Sequence, residues 1–587
     1  MNTFQIYKRL LKYVLPYRWV FILGLLGMIV VAISEASFAA LLKPIMDGGF
    51  VDRDTTVIKL TPLLLVGAFM ARGVGSFADQ YSIGWIARMV IADLRSELFE
   101  KMIQLPVPYH DHETSASLVA KLIYDIEQVA QAATLAIRVL VKDALLTLAL
   151  LGWLIYLNWQ LTVIFLTITP VAAVIIRVAG RRFRTVSERI QESIGNIAQV
   201  SKEAFQAHKI LKSFKAYRHE TVSFERVNLS NRDQAIKKAV IGAGSVPLVL
   251  IFVGMNVAGV IYLAMTGATG SFISAGTFAS YLGAILMLMA PIKRLAMVNE
   301  LLQTGVAASK SAFDILDMES ESDGGRHIMS PAFGNLEFRN VSFTYSSSNT
   351  AALNNVSFSI SQGDFVGIVG ESGSGKSTIS SLLVAFYDTF CGEILIDGVS
   401  ISEHSVGSLR EEISLAPQDA TLFNDTLIRN ICYGADTDKG RLEAVIEATG
   451  IDRFIPDLPD GLETNIGERG ALLSGGQRQR VALARALYRE FSILIMDEAT
   501  SGIDNIGEEE LRRNIRNFVG KRTVLAISHR LSTVVDADCI YVLHQGRLIE
   551  SGDHETLVAM GGYYGALYSN QMNSAQRTQH TLDRTSE

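Results

Sequence analysis

Charge is scarce in this chain. Only 19% of its 587 residues are Asp, Glu, Lys or Arg, against about 25% in soluble domains. With hydrophobic residues at 49%, that shortage excludes both an ordinary soluble enzyme and a disordered chain. Cysteine is scarcer still. Cys391, Cys432 and Cys539 are the only three, and their spacing fits no disulfide framework, zinc site or haem attachment. There is no basic excess of the kind that nucleic-acid binding calls for, since the formal net charge is -6. Lys8, Arg9, Lys12 and Arg18 precede an apolar stretch, but no small-residue cleavage site follows it. That stretch reads as a retained first membrane span rather than a signal peptide. The length calls for more than one domain.

The small total hides two unlike halves. Residues 1–325 carry 31 Lys+Arg against 25 Asp+Glu, and residues 326–587 carry 22 against 34. A helix needs about 20 apolar residues to cross the hydrocarbon core. Residues 19–40 supply one window, with Glu35 as its single charge, and residues 60–83 supply another, interrupted by Arg72 and Asp79. Residues 144–176 and 239–292 hold no charge, and each is long enough for two spans joined by a turn, at 158–160 and 266–277. This predicts six spans, at about 19–40, 60–83, 139–157, 160–180, 242–264 and 273–295. Residues 177–238 contain 14 Lys+Arg, the two turns contain none, and the loop at 43–59 is balanced. The excess of Lys and Arg on cytoplasmic loops therefore puts the termini and the connections 85–131 and 177–238 in the cytoplasm. Both connections have helix-forming composition. Helices of about 25–30 residues would reach roughly 40 Å beyond the membrane, far enough to carry motion between a cytoplasmic domain and the spans.

The second half has the chemistry of a nucleotide site. Gly370, Glu371, Ser372, Gly373, Ser374, Gly375, Lys376 and Ser377 complete the pattern GxxxxGK[ST], after an apolar strand at 365–369 and before an apolar helix at 378–386 that opens on Thr378. Glycines let backbone N–H groups surround phosphates, and the helix N-terminus faces the anion. Lys376 is expected on the β- and γ-phosphates and Ser377 on Mg²⁺. A second apolar strand at 492–496 runs into Asp497 and Glu498. An acid in that place holds Mg²⁺ in P-loop ATPases, which leaves Glu498 to polarise the attacking water.

Between them lies Leu473-Ser474-Gly475-Gly476-Gln477-Arg478-Gln479-Arg480, ahead of a helical run at 481–487. This resembles the signature of the ABC transporter ATPases. The resemblance implies further roles. Tyr345 would stack on adenine, and Gln418 would sense the γ-phosphate and help to hold Mg²⁺. Gly467-Glu468-Arg469-Gly470 is similar to the exporter loop before the signature. Asp504 would close the loop that crosses a dimer, and His529 would reach the γ-phosphate. That loop reads Ser501-Gly502-Ile503-Asp504, where the family carries Ala and Leu in the middle. In this family the signature of one subunit completes the ATP site of the other. A single P-loop and a single signature thus imply a homodimer of half-transporters. The implied organisation is a six-helix ABC exporter transmembrane domain (type IV ABC fold) at 1–325, an α/β P-loop nucleotide-binding domain at 326–570, and a polar, disordered tail at 571–587.

Charges inside spans are functional candidates by default. By depth along their helices, Arg72 falls roughly 18 Å from the outer turn, and Lys142 and Lys293 roughly 24 Å, with Arg138 and Arg294 near the same level. This is a cationic zone suited to an anionic lipid head group. The competing reading is that Lys293 and Arg294 snorkel to the boundary and that Lys142 pairs with Asp143 or another acid. The loop at 41–50 (LLKPIMDGGF), the segment 124–130 (YDIEQVA) and the segment 291–295 (PIKRL) are similar to those of the bacterial lipid A exporters of the ABC family. That resemblance implies ATP-driven flipping of a lipid A or lipopolysaccharide-type substrate across the bacterial inner membrane, with Arg72, Lys142 and Lys293 on its phosphates. Asp79 and Arg138 match nothing in that pattern. A multidrug or peptide exporter on the same scaffold, and an ATP-gated channel, are the other readings.

Overall fold

A computed structural model of the chain describes residues 3–266, 273–329, 331–500, 502 and 505–571. Residues 267–272 of the turn at 266–277, residues 572–587 of the expected tail, and Asp504 lie outside the described residues. The chain forms two compact units, Met1–Glu100 with Leu118–Asp317, and Lys101–Ser117 with Met318–Glu587.

The first unit is helical. A short amphipathic helix, Thr3–Val14, precedes Arg18–Pro44 and Thr55–Ile103. A nearly unbroken helical run from Ser115 to Leu157 follows, then Trp159–Gln206, Tyr217–Thr266 and Ala275–Leu316. The charge-free stretch at 144–176 breaks where expected. Asn158 leaves the helix at φ -162°, and its side chain accepts from Leu161 N–H, which caps the helix that follows. Ser274 caps the last long helix in the same way, through Thr277 N–H. The expected loop at 43–59 is largely helical. The first span runs on through Pro44 and continues as a wide π-helical turn, Ile45–Val51. Asp47 on that turn accepts from Gly276 N–H at 2.7 Å and from Ser274 Oγ at 2.6 Å, which ties it to the start of the last span. Small residues let backbones meet. A Cβ added at Gly27 would lie 2.7 Å from the carbonyl oxygen of Gly75. The described hydrophobic centre includes Leu146, Leu150, Leu154, Tyr281, Ala284 and Leu288. Among the described residues, four helical stretches are long and apolar enough to cross a membrane.

The second unit is an α/β structure with two sheets. Strands β1 (Leu336–Phe343), β2 (Leu353–Ile360), β4 (Cys391–Ile396) and β5 (Val399–Ser400) form an antiparallel sheet in the order β2-β1-β4-β5. Strands β3 (Phe365–Val369), β6 (Ile413–Ala416), β7 (Ile493–Asp497), β8 (Thr523–Ser528), β9 (Cys539–His544) and β10 (Arg547–Gly552) form the other, ordered β10-β9-β3-β8-β7-β6. All its pairings are parallel except β10 with β9. Every residue of β3, β7 and β8 is buried, which is why these segments read as unbroken apolar runs rather than as alternations. Phe338, Phe358, Ile368, Ile394, Ile495 and Leu525 share one core between the sheets, and Val445, Val481, Leu487, Leu494 and Ala526 belong to a second core with the helices. Parallel strands place ligands beyond their carboxyl ends, and the motif residues follow β3, β7 and β8.

Several charges in the spans are paired across helices. Asp79, fully buried, takes the Arg138 guanidinium at 2.8 Å. Asp143, also buried, receives Arg294 in a two-pronged contact at 2.7 and 2.8 Å. Lys142 therefore does not pair with its neighbour Asp143. Its described partner is Glu35, at 3.8 Å. Breaking a buried pair by removing one partner costs about 3–5 kcal/mol, because the other charge stays buried. Arg138→Leu is accordingly expected to lower unfolding stability by that order, and Asp79→Asn with Arg138→Leu to recover most of it. Thermal unfolding in lipid nanodiscs reads both, and additive losses in the double variant would contradict the pairing.

Candidate functional site

The P-loop joins β3 to the helix Lys376–Leu383. Its geometry needs glycine at two points. Gly375 has φ +102°, and a Cβ there would sit 2.3 Å from the Ala352 carbonyl oxygen; a Cβ on Gly370 would sit 2.1 Å from that of Leu543. Lys376 is buried, with its ammonium held by the carbonyl oxygens of Gly370 at 2.9 Å and Glu371 at 2.8 Å. Burial pulls its pKa down, opposed by Glu498 and Asp497. Thr378 N–H in the first turn reaches back to the Gly375 carbonyl oxygen at 3.2 Å. Ser374 Oγ is buried without a hydrogen-bond partner, while Glu371, Ser372 and Gly373 face solvent. An orphan hydroxyl and a buried ammonium on one loop fit a polyphosphate.

Register brings the remaining groups together. Asp497 at the end of β7 lies opposite Ile527 on β8, and Val369 at the end of β3 lies opposite Ser528. Asp497 accepts from Ser377 Oγ at 3.1 Å and from Ser380 Oγ at 2.9 Å. Burial raises its pKa. A dication beside Ser377 would relieve that penalty, so the donor set fits Mg²⁺. Glu498 takes a left-handed backbone conformation at φ +50°, a strained choice for a residue with a side chain. Its N–H is held by Ile527 carbonyl oxygen at 2.8 Å. Its carboxylate accepts from Gln418 Nε2 at 3.0 Å and lies 3.1 Å from His529 Nδ1. Gln418, Glu498 and His529, far apart in sequence, thus form one cluster.

Tyr345 donates to or accepts from Thr378 Oγ1 at 3.1 Å and packs edge-on against Phe343 and Tyr387. Sequence reasoning missed Tyr387. Its hydroxyl donates to Asp111 on the short helix Val107–His112, so the aromatic beside the P-loop touches the segment Lys101–Ser117. A tyrosine in the sequence carries no sign of such a contact; only the fold supplies it. Ser474 caps the helix Gly475–Tyr488, accepting from Gln477 N–H, while Gln477 Oε1 accepts from Ser474 N–H. Gly475 is exposed and Gly476 and Gln477 partly so. At the departure, Gly502 N–H donates to Gln479 Oε1 at 2.6 Å.

The expected head-group residues lie in the first unit. Arg72 contacts Glu35 at 3.0 Å, and Lys142 contacts the same carboxylate oxygen. Arg138 is engaged by Asp79. Lys293 is exposed and has no carboxylate partner among the described residues. The cationic zone therefore carries built-in counter-charges.

Comparison with known proteins follows this geometry. Residues 21–292 match the model of the ABC transporter transmembrane region, and residues 353–501 match that described as ABC transporter. The chain is 44% identical to a protein of Nitrosococcus oceani named ATP-dependent lipid A-core flippase, covering 96% of this chain and 95% of that one. It is 39% identical to proteins of the same name in Colwellia psychrerythraea, where it is numbered 1, and Coxiella burnetii, covering 97% and 98% of both partners respectively. Among solved structures it is similar to a bacterial Atm1-family ABC exporter with ATP bound, at TM-score 0.80 and 26% identity, over 94% of this chain and 98% of that one. Glu498→Gln is expected to keep ATP binding and lower steady hydrolysis by about a hundredfold or more. Single-turnover and steady-state phosphate release check it, and rapid steady hydrolysis would remove Glu498 as the base.

Proposed function

The chain belongs to the ABC transporter family, as an exporter with a transmembrane region ahead of an ATP-hydrolysing domain, and we propose that it flips lipid A-core, or an anionic lipid of the same chemistry, from the inner to the outer leaflet of the bacterial inner membrane. What carries this reading is similarity over nearly the whole chain to relatives named lipid A-core flippases. Basic residues at span depth agree with it.

The working unit is a homodimer with the ATPase domains in the cytoplasm. Lys376, Ser374 and the first-turn amides bind the phosphates of ATP, and Tyr345 packs on its base. Ser377, Asp497 and Gln418 would hold Mg²⁺, which when bound would neutralise charge developing on the phosphates. Ser474 to Gln477 and Asp504 of each subunit complete the site of the other. Closing the two sites draws the cytoplasmic helices together and opens the cavity outward. Glu498 accepts a proton from the attacking water, Gln418 and His529 fix that carboxylate and the γ-phosphate, and hydrolysis resets the cycle. Arg72, Lys142 and Lys293, with Arg138 at the same level, receive the phosphorylated head group, while acyl chains occupy the apolar surface around them. Binding of a phosphate by a charged donor contributes more than a neutral hydrogen bond, about 1.5–3 kcal/mol.

Reconstituted into proteoliposomes, the protein is expected to hydrolyse ATP faster with lipid A present and to translocate it. Arg72→Ala, Lys142→Ala and Lys293→Ala should each raise the lipid A concentration for half-maximal stimulation by about tenfold. Unchanged stimulation in all three would overturn the head-group assignment, and stimulation by hydrophobic cations but not by lipid A would favour a drug exporter.

A further inference from the structure

Two of the basic residues assigned to the head group, Arg72 and Lys142, are already satisfied by a carboxylate that the same chain supplies. Glu35 is the single acid of the first span. One of its oxygens lies 3.0 Å from the Arg72 guanidinium and 3.8 Å from the Lys142 ammonium. Its side chain is 12% exposed, against 49% for Arg72 and 18% for Lys142. It is not sealed in. A cavity of about 170 Å³ opens against it, lined by Glu35 and Arg72 as its charged members and by Phe38, Phe69 and Met287 among its apolar ones. The other buried acids of the spans have dedicated partners, Arg138 for Asp79 and Arg294 for Asp143. Glu35 alone, among the described residues, bridges two of the residues assigned to substrate, and it does so at the wall of a cavity.

We infer that Glu35 is a specificity-determining residue, an internal stand-in for the head-group phosphate that the lipid must displace. The inference rests on the proposed lipid A reading and deepens it. With no lipid bound, Glu35 spares Arg72 and Lys142 the cost of facing an apolar medium unpaired. A phosphate displaces it because it brings more charge and three acceptor oxygens to two cationic groups. A zwitterionic or neutral head group brings no surplus, leaves the pair intact and is rejected, which is discrimination by the cost imposed on the wrong ligand. On the outward side the exchange runs in reverse: Glu35 recaptures both cations and helps expel the phosphate. Lys293, which has no described carboxylate partner, makes the first contact because it has nothing to give up.

The test compares wild type, E35Q and E35D in proteoliposomes of phosphatidylcholine with titrated lipid A. E35Q is expected to lower the KM for lipid A stimulation by about tenfold, to lower the maximal stimulated rate because release slows, and to respond to phosphatidylethanolamine where wild type does not. E35D keeps the charge and is expected to restore the wild-type KM. A residue with only a structural role would not tighten lipid binding, so an unchanged or raised KM in E35Q overturns the inference. Should E35Q fail to fold, E35Q/K142Q preserves charge balance; its KM is expected below that of K142Q, and equality overturns the inference. If wild type itself shows no lipid A stimulation, it is the lipid reading that fails. If wild type responds and E35Q binds no tighter, only the role of Glu35 fails.

Discussion

A charge taken out of water must have a partner, and both units are organised around that requirement. In the spans, Asp79, Asp143 and Glu35 sit against Arg138, Arg294, Arg72 and Lys142. At the P-loop, Lys376 is held by two carbonyl oxygens and Asp497 by two hydroxyls. At Arg72, Lys142, Lys376 and Asp497 the partner carries less charge than the phosphate or dication that the same group suits. A site built this way is stable without its ligand and binds by exchange, so the net gain is a difference between two satisfied states. That difference keeps binding reversible, which a transporter needs at both of its sites.

Strain serves the same end at the hydrolytic cluster. The left-handed backbone at Glu498 turns its carboxylate away from the strand direction toward Gln418 and His529. Three residues contributed by separate parts of the chain then hold one another before any substrate arrives. Pre-set geometry of this kind lowers the reorganisation required in the transition state. The rigid frame comes from β7 and β8, whose parallel register sets Asp497 and Ser528 one rung apart on neighbouring strands.

The sequence made the architecture readable because its strongest signals are local. Charge-free runs mark spans, and the P-loop and signature are contiguous motifs whose meaning survives without any contact map. Turns were readable where a single residue decides them, as at Asn158. The helical course of the loop at 43–59 was not legible, because the Asp47 contacts that anchor it to the helix beginning at Ala275 span 227 and 229 positions. The charge pairs were illegible for a related reason. Lys142 adjoins Asp143, yet neighbours on a helix point in different directions, and the true partners come from other helices. Tyr387 and Asp111 are 276 residues apart, and nothing in either neighbourhood announces the other.

One helix carries the consequence furthest. Thr55–Ile103 is a single helix of 49 residues. It bears Arg72, which meets Glu35, and its last turn belongs to the unit that holds the P-loop. Along the axis Arg72 and Lys101 are separated by roughly 44 Å. In its last turn Lys101 contacts Ser320, and beyond its end Gln104 contacts Glu321 and Asp111 contacts Tyr387, whose ring packs on Tyr345. A helix resists bending far more than a loop does, so tilting one end displaces the other. In the proposed mechanism, exchange of Glu35 for a phosphate at Arg72 and binding of a base at Tyr345 act on the two ends of one continuous element. Since coupling between binding sites is reciprocal, whatever lipid does to nucleotide affinity through this helix, nucleotide must do to lipid affinity in equal measure.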